Sequence, residues 1–85
     1  MRYVYIVECA DKTLYTGITT DLVRRESEHN FSEKSAKYTR IRRPVKIVFS
    51  QACENRSQAS KLEYKIKQLT KVKKLQIIEK QNIEL

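Results

Sequence analysis

The sequence predicts an α+β fold, a small three-stranded and mainly antiparallel sheet flanked by helices in the order β-β-α-β-α-α. Three observations carry that expectation. Two runs rich in β-branched and aromatic residues open the chain, separated only by a short polar link. A third such run follows Pro44, and beyond it apolar residues recur at the three-and-four spacing of a helix. Eighty-five residues suffice for one domain, 1–85. A chain of this size buries only about 60 % of its unfolded surface, so the active region is expected in a surface groove rather than a cavity.

Residues 2–9 (RYVYIVEC) form the first expected strand and residues 13–19 (TLYTGIT) the second. The link around Ala10–Lys12 makes them a hairpin, although it lacks the usual turn glycine. Thr20 or Asp21 can cap a helix running from about Leu22 to His29, with Asn30 as its stop. Residues 31–43 (FSEKSAKYTRIRR) show no sustained periodicity and are expected as a basic loop with at most a short helical turn. Pro44 then opens a third strand, Val45 to Cys53, in which Val45, Ile47 and Phe49 alternate with polar or smaller residues. Asn55 caps a long helix with the stripe Ala59, Leu62, Ile66 and Leu69. Thr70 caps a further helix whose expected stripe is Val72, Leu75 and Ile78, and residues 80–85 are expected to fray.

Eighteen Lys and Arg against ten Asp and Glu give a formal net charge of +8. Such an excess favours a polyanionic partner, nucleic acid before anionic membrane, although it also serves solubility. No apolar run approaches the roughly 20 residues of a spanning helix, and nothing at the N-terminus resembles a signal peptide. Cys9 and Cys53 have neither metal-ligand spacing nor disulfide density, so buried free thiols in a reducing cytoplasm are expected.

Several residues carry candidate chemistry. Tyr5 and Tyr15 lie on the two arms of the hairpin, where the link would bring them close to opposite one another; aromatic cross-strand packing is the ordinary reading. Glu63 stands at the edge of an apolar helical stripe, either paired with Lys67 four residues on or holding a metal ion. Arg25 and His29 are four apart on one helix face, which suits a phosphate clamp and a proton carrier. Their neighbours Arg24, Glu26 and Glu28 have the look of a solvated face. His29 is the only histidine, which excludes a multi-histidine zinc site.

Together these residues resemble the GIY-YIG nuclease superfamily, in particular its small stand-alone bacterial type and the N-terminal domain of excision-repair nucleases. The resemblance runs through Tyr3-Val4-Tyr5, Leu14-Tyr15-Thr16-Gly17-Ile18-Thr19 and Asp21-Leu22-Val23-Arg24-Arg25. It continues in His29-Asn30, Ala36-Lys37-Tyr38-Thr39, Arg43-Pro44-Val45 and Glu63-Tyr64-Lys65-Ile66-Lys67-Gln68-Leu69, covering about residues 2–75. Each motif is short, and it is their joint order and spacing that is specific. The resemblance implies a metal-dependent nuclease that hydrolyses phosphodiester bonds in structured or single-stranded DNA, with a role in DNA repair or processing. It implies Tyr5, Tyr15, Arg25, His29 and Glu63 as catalytic residues, Glu63 as ligand of one Mg²⁺ or Mn²⁺, and Gly17 as a backbone position of the site. Gly17 is the only glycine, retained for close backbone approach or for a positive φ. A catalytic tyrosine would need its pKa lowered from about 10 by the metal and neighbouring cations. Tyr3, Thr16 and Ile18 depart from the family pattern, the loop SEKSAKYTR lacks glycines beside the histidine, and Asn82 is a poor match for the C-terminal asparagine of some members.

Lys34, Lys37, Arg40, Arg42 and Arg43 form one basic segment, and Lys61, Lys65, Lys67, Lys71, Lys73 and Lys74 another. Such residues contact phosphates without reading sequence. Tyr38 could stack on a base or pack on the sheet. DNA is the expected partner ahead of RNA, with sequence specificity weak or supplied by a protein partner, in a cytoplasmic or nucleoid-associated setting. The competing classes are a non-catalytic basic nucleic-acid-binding module and a membrane-surface protein; the latter fits poorly because the helical lysines are spread over several faces.

Overall fold

A computed structural model describes residues 1–82. The strands β1 (Arg2–Cys9), β2 (Leu14–Thr19) and β3 (Val45–Cys53) form one antiparallel sheet in the order β2-β1-β3. The helices are α1 (Leu22–Phe31), α2 (Lys37–Arg40), α3 (Arg56–Gln68) and α4 (Lys71–Lys80). The α+β class is the one expected, and the order is the expected one with α2 added in the basic loop. Of the tail at 80–85, Lys80 closes α4 and residues 83–85 lie outside the described residues.

The hairpin closes without glycine because Lys12 takes the left-handed conformation, φ 70°. Asp11 braces it, accepting from the Thr13 N–H at 3.1 Å and the Thr13 hydroxyl at 2.6 Å. The register places Tyr5 opposite Gly17 and Val7 opposite Tyr15. Tyr5 and Tyr15 are therefore diagonal neighbours on one face, not an opposed pair; the expected pairing was two residues out because the turn is centred after residue 10.

Two clusters cover the two faces of the sheet. Val4, Ile6, Phe49 and Cys53 pack with Ala59 and Ile66 of α3 and Ile77 of α4. Tyr5, Val7, Cys9 and Val45 pack with Tyr15, Ile47 and Leu22 on the α1 side. β3 serves both clusters because its register with β1 shifts between Ile6 and Val7, whose partners are Phe49 and Ile47. The extra residue, Val48, moves Phe49 to the opposite face from Val45 and Ile47, which strict alternation would have kept together.

α3 buries the expected stripe, with Ala59 and Ile66 wholly inside. α4 departs from expectation: Ile77 is its buried residue and Ile78 packs beside it, whereas Val72 and Leu75 are exposed. The packing of Ile77 and Ile78 against the core turns Val72 and Leu75 outward, and just beyond the helix Gln81 donates to Val48 O at 2.9 Å. Asp21, Asn55 and Thr70 cap α1, α3 and α4 by accepting from Arg24, Gln58 and Lys73 N–H groups. α1 does not stop at Asn30 but runs to Phe31, and Asn30 turns its side chain across to the sheet.

Candidate active site

α1 sits where it does because its polar face satisfies the edge of β3. Asn30 accepts from Val45 N at 2.7 Å and donates to Val45 O at 2.9 Å, and Glu26 accepts from Ile47 N at 2.7 Å. Glu26 is therefore an edge cap rather than a solvated residue, and Glu28 pairs with Arg25 at 3.3 Å. With Glu26 and Asn30 docked on β3, Arg25 and His29 on the same helix face point over β1 and β2.

His29 is fully buried. Its Nε2 lies 2.8 Å from Tyr5 Oη and its Nδ1 lies 2.8 Å from Thr39 Oγ1. The ring meets the Tyr5 and Tyr15 rings edge-on, at centroid distances of 5.8 and 5.7 Å. Arg25 Nε donates to Tyr5 Oη at 3.3 Å, and its Nη1 donates to Lys34 O at 3.1 Å. Burial, followed by the cations of Arg25 and Arg43, pulls His29 down from 6.5 to about 4, against the opposing pull of Glu28. The imidazole is neutral at neutral pH.

Tyr5 is 1 % exposed, and burial raises its hydroxyl above the ordinary tyrosine range. Arg25 pulls it down by hydrogen bond and charge without reversing the shift, while Tyr15 and Glu63 push it further up. In these surroundings Tyr5 rests as the neutral phenol at neutral pH. Gly17 has no positive φ; its role is close approach, since a Cβ there would lie 2.5 Å from Tyr5 Oη and 2.7 Å from Cζ. The Tyr5 ring lies across the space a side chain at 17 would fill.

Tyr15 is half-buried, and among the described residues its hydroxyl has no protein hydrogen-bond partner. Tyr38 stacks on it at 5.8 Å with 24° between planes, and the Arg42 guanidinium lies 4.0 Å from the Tyr38 centroid. Tyr38 therefore packs on the sheet through Tyr15 while keeping 37 % of its surface exposed.

Arg42 and Arg43 are turned inward. Arg42 pairs with Asp11 at 3.1 Å and donates to Tyr38 O at 2.8 Å; Arg43 donates to His29 O at 2.7 Å, Ser32 O at 2.6 Å and Ser35 Oγ at 3.1 Å. Their place in the basic segment had suggested phosphate contacts, but their donors hold the loop to α1 and to the hairpin turn. Lys34, Lys37 and Arg40 are exposed. Lys71 and Lys74 of α4 line a groove with Tyr38, Thr13 and Leu14, so the two basic segments meet beside Tyr38.

Glu63 of α3 keeps 26 % of its side chain exposed and pairs with Lys67 at 3.4 Å. Its charge contributes, as the smallest of the causes, to the raised pKa of Tyr5. Among the described residues there is no group of three or more His, Cys, Asp or Glu side chains. That donor set does not fit zinc, and it fits a hard ion that takes one carboxylate and keeps most of its coordination for water and phosphate oxygens. Cys9 and Cys53 are buried and free, and no helix among the described residues is long and apolar enough to cross a membrane.

Two residues of this site escaped the sequence. Thr39 was visible only as the last letter of Ala36-Lys37-Tyr38-Thr39, with no periodicity to show it buried. Glu26 resembled its solvated neighbours, and only the position of β3 reveals its role.

A tyrosine hairpin crossed by an arginine–histidine helix, with a glutamate from a second helix at its edge, defines the GIY-YIG class of nuclease-type fold. The family model described as the GIY-YIG catalytic domain matches residues 1–76. A UPF0213 protein of Desulfotalea psychrophila is 58 % identical over 76 residues, covering 89 % of this chain and 69 % of that protein. One of Syntrophus aciditrophicus is 50 % identical over 83 residues, covering 98 % and 94 %. The solution NMR structure of a UPF0213 protein of Bacillus halodurans is similar with a TM-score of 0.59 and 45 % identity, over 93 % of this chain and 84 % of that one. The chain belongs to the GIY-YIG family, among its UPF0213 members.

Proposed function

We propose that the chain is a single metal-dependent nuclease domain that hydrolyses phosphodiester bonds in DNA, in a repair or processing role. The observation that carries this reading is the hydrogen-bonded set Arg25–Tyr5–His29, which couples a guanidinium able to bind phosphate to a proton acceptor. Arg25 would clamp a non-bridging phosphate oxygen, since a guanidinium can fork to phosphate while one N–H remains on Tyr5. Tyr5 would accept a proton from the attacking water while passing its own to His29 Nε2. The second transfer removes any need for a standing phenolate, which the burial of Tyr5 disfavours. Burial is the main cause of the low His29 pKa, and anionic phosphate at Arg25 would offset the smaller part that comes from the Arg25 cation, making His29 a better acceptor when substrate is present. Tyr15 would orient the water with its unpartnered hydroxyl.

Glu63 would hold one Mg²⁺ or Mn²⁺, which supplies charge neutralisation at the phosphate and at the leaving oxygen. Lys34, Lys37, Arg40 and Lys67 would contact backbone phosphates, Tyr38 would present its open surface to a base, and Arg42 and Arg43 would keep the loop in place. A field of this kind gives affinity without sequence, leaving specificity to substrate shape or to a protein partner. Two buried free thiols suit a reducing cytoplasm.

The test is incubation with single-stranded, duplex and branched DNA in Mg²⁺ or Mn²⁺, beside Glu63→Gln and an EDTA control. Cleavage lost with the substitution and with the chelator, but with DNA binding retained, is the expected result. Cleavage equal in Glu63→Gln and parent removes Glu63 from the site, and binding without cleavage on every substrate favours the non-catalytic module.

A further inference from the structure

The site contains one chain of hydrogen bonds whose direction is fixed by its two ends. At one end Arg25 has only donors, so its Nε–H points to Tyr5 Oη and the Tyr5 proton must go elsewhere. Among the described residues the other partner of Tyr5 Oη is His29 Nε2, at 2.8 Å. If Nε2 carried a hydrogen, the Tyr5 proton would have no protein acceptor among the described residues, at a cost of about 1–3 kcal/mol wherever water does not reach it. Nε2 is therefore the lone pair and Nδ1 the N–H. At the other end Ala36 O has only lone pairs and lies 3.0 Å from Thr39 Oγ1, so it takes the Thr39 proton. That leaves the Thr39 oxygen free to accept from His29 Nδ1 at 2.8 Å. Every donor in the series Arg25, Tyr5, His29, Thr39 then has an acceptor, and the series ends on a backbone carbonyl at the start of α2.

We infer that Thr39 is a positioning residue that fixes the neutral Nδ1–H tautomer of His29 and so presents its Nε2 lone pair to the Tyr5 hydroxyl. Thr39 is fully buried and meets no substrate; it acts through the imidazole alone. α2, though only four residues long, brings together both groups that set the direction: the O of Ala36, which precedes its first residue, and the Thr39 hydroxyl. The catalytic consequence rests on the proton route proposed above, whereas the tautomer assignment does not.

Because His29 is the only histidine, ¹⁵N labelling of histidine gives one pair of ring signals, and long-range ¹H–¹⁵N correlation at neutral pH reads the tautomer directly. The parent is expected to show a protonated, pyrrole-type Nδ1 and an unprotonated, pyridine-type Nε2. Thr39→Ser keeps the hydroxyl and is expected to keep that spectrum and a near-parental cleavage rate. Thr39→Val leaves Nδ1–H without an acceptor, so the second tautomer is expected to appear and kcat to fall about 10- to 100-fold at unchanged KM, a part of what general acid–base catalysis supplies. A protonated Nε2 in the parent overturns the assignment, and that spectrum decides even if Thr39→Val does not fold. A folded Thr39→Val that keeps a single Nδ1–H tautomer at the parental rate overturns the role of Thr39. If the parent cuts no substrate, the spectra still decide the tautomer while the nuclease reading fails by itself.

Discussion

Replacing Gly17 by alanine probes the close contact on which the position of Tyr5 depends. A Cβ at 17 would stand 2.5 Å from Tyr5 Oη, 2.7 Å from Cζ and 3.1 Å from Cε2. Non-bonded heavy atoms settle at about 3.5–4.0 Å, so the tyrosine ring must retreat by roughly 1 Å. The backbone raises no objection, since Gly17 does not use a positive φ. The ring has little freedom to move, being 1 % exposed and tied at its hydroxyl to His29 and Arg25. Overpacking costs about 1–3 kcal/mol, and misaligning a buried hydrogen bond adds about 1 kcal/mol. For a domain of this size that sum lowers Tm by roughly 10–20 °C. A 1 Å displacement of a reacting group also lowers the cleavage rate by about 10²-fold.

Thermal unfolding by circular dichroism and cleavage of the preferred DNA substrate measure the two effects. The diagnostic comparison is a double-mutant cycle with Tyr5→Leu, performed in stabilising sulfate because Tyr5→Leu leaves a cavity. Leucine has no atom where Tyr5 Oη and Cζ stand, so Gly17→Ala becomes neutral or slightly stabilising in that background, as alanine restricts the unfolded chain. An unchanged Tm and rate for Gly17→Ala alone, or the same penalty in both backgrounds, would refute the steric argument.

Three further outcomes follow from the same geometry. His29 binds a proton near pH 6.5 when unfolded but only near pH 4 when folded, so stability present above pH 6.5 is lost as pH falls from 6.5 to 4. The loss is about 3 kcal/mol, measurable by urea unfolding across that range; an NMR titration of the single histidine with a midpoint near 6.5 in the folded protein contradicts it. Arg25→Ala is expected to lower kcat by about 10²- to 10³-fold with a Tm change of a few degrees, because its pair with Glu28 is partly exposed; Arg25→Lys is not expected to rescue, lacking the fork. A loss confined to KM would instead make Arg25 a simple binding residue. Thr16 Oγ1 is buried opposite Ile6 with no partner among the described residues, so Thr16→Val is expected to stabilise by about 1 kcal/mol, raising Tm by roughly 4–8 °C; a lower Tm rejects this.

Most of the fold was legible because local rules set it: strand composition, the Asp21, Asn55 and Thr70 caps, and the Ala59–Ile66 stripe all survive in the structure. The departures occur where a partner distant in sequence decides the outcome. The bulge at Val48 reassigns Phe49 to the other face, the core takes Ile77 rather than Val72 and Leu75 from α4, and Asn30 lies inside α1 with its side chain on Val45. At the site, Arg25 and His29 on one helix face could be seen from spacing, as could Gly17 as the singular glycine. The inward turn of Arg42 and Arg43 could not, since a loop of alternating basic residues looks the same whether its donors meet phosphate or carbonyls. Nor could Thr39, whose importance depends on an acceptor three residues earlier and a donor ten residues earlier.

The two faces of the sheet divide the labour unequally. The α3–α4 side is an ordinary apolar core around Ile6, Phe49 and Ile66. On the α1 side Val7, Cys9 and Val45 share the buried volume with Tyr5, His29 and Thr39, groups that the chain has to hydrogen-bond to one another to tolerate at all. In a domain this small the proposed catalytic assembly is thus also a second core, and its polar members are fixed by packing rather than by a rigid surrounding scaffold. Substitutions on the first face should change stability with kcat intact: Ile66→Val is expected to cost about 1 kcal/mol and leave the cleavage rate unaltered once the protein is folded. Substitutions on the second face should change both, because the same contact that fills space also aims a proton. Should Ile66→Val slow cleavage as much as Thr39→Val at a temperature where both are fully folded, the separation is wrong and the sheet transmits strain between its faces.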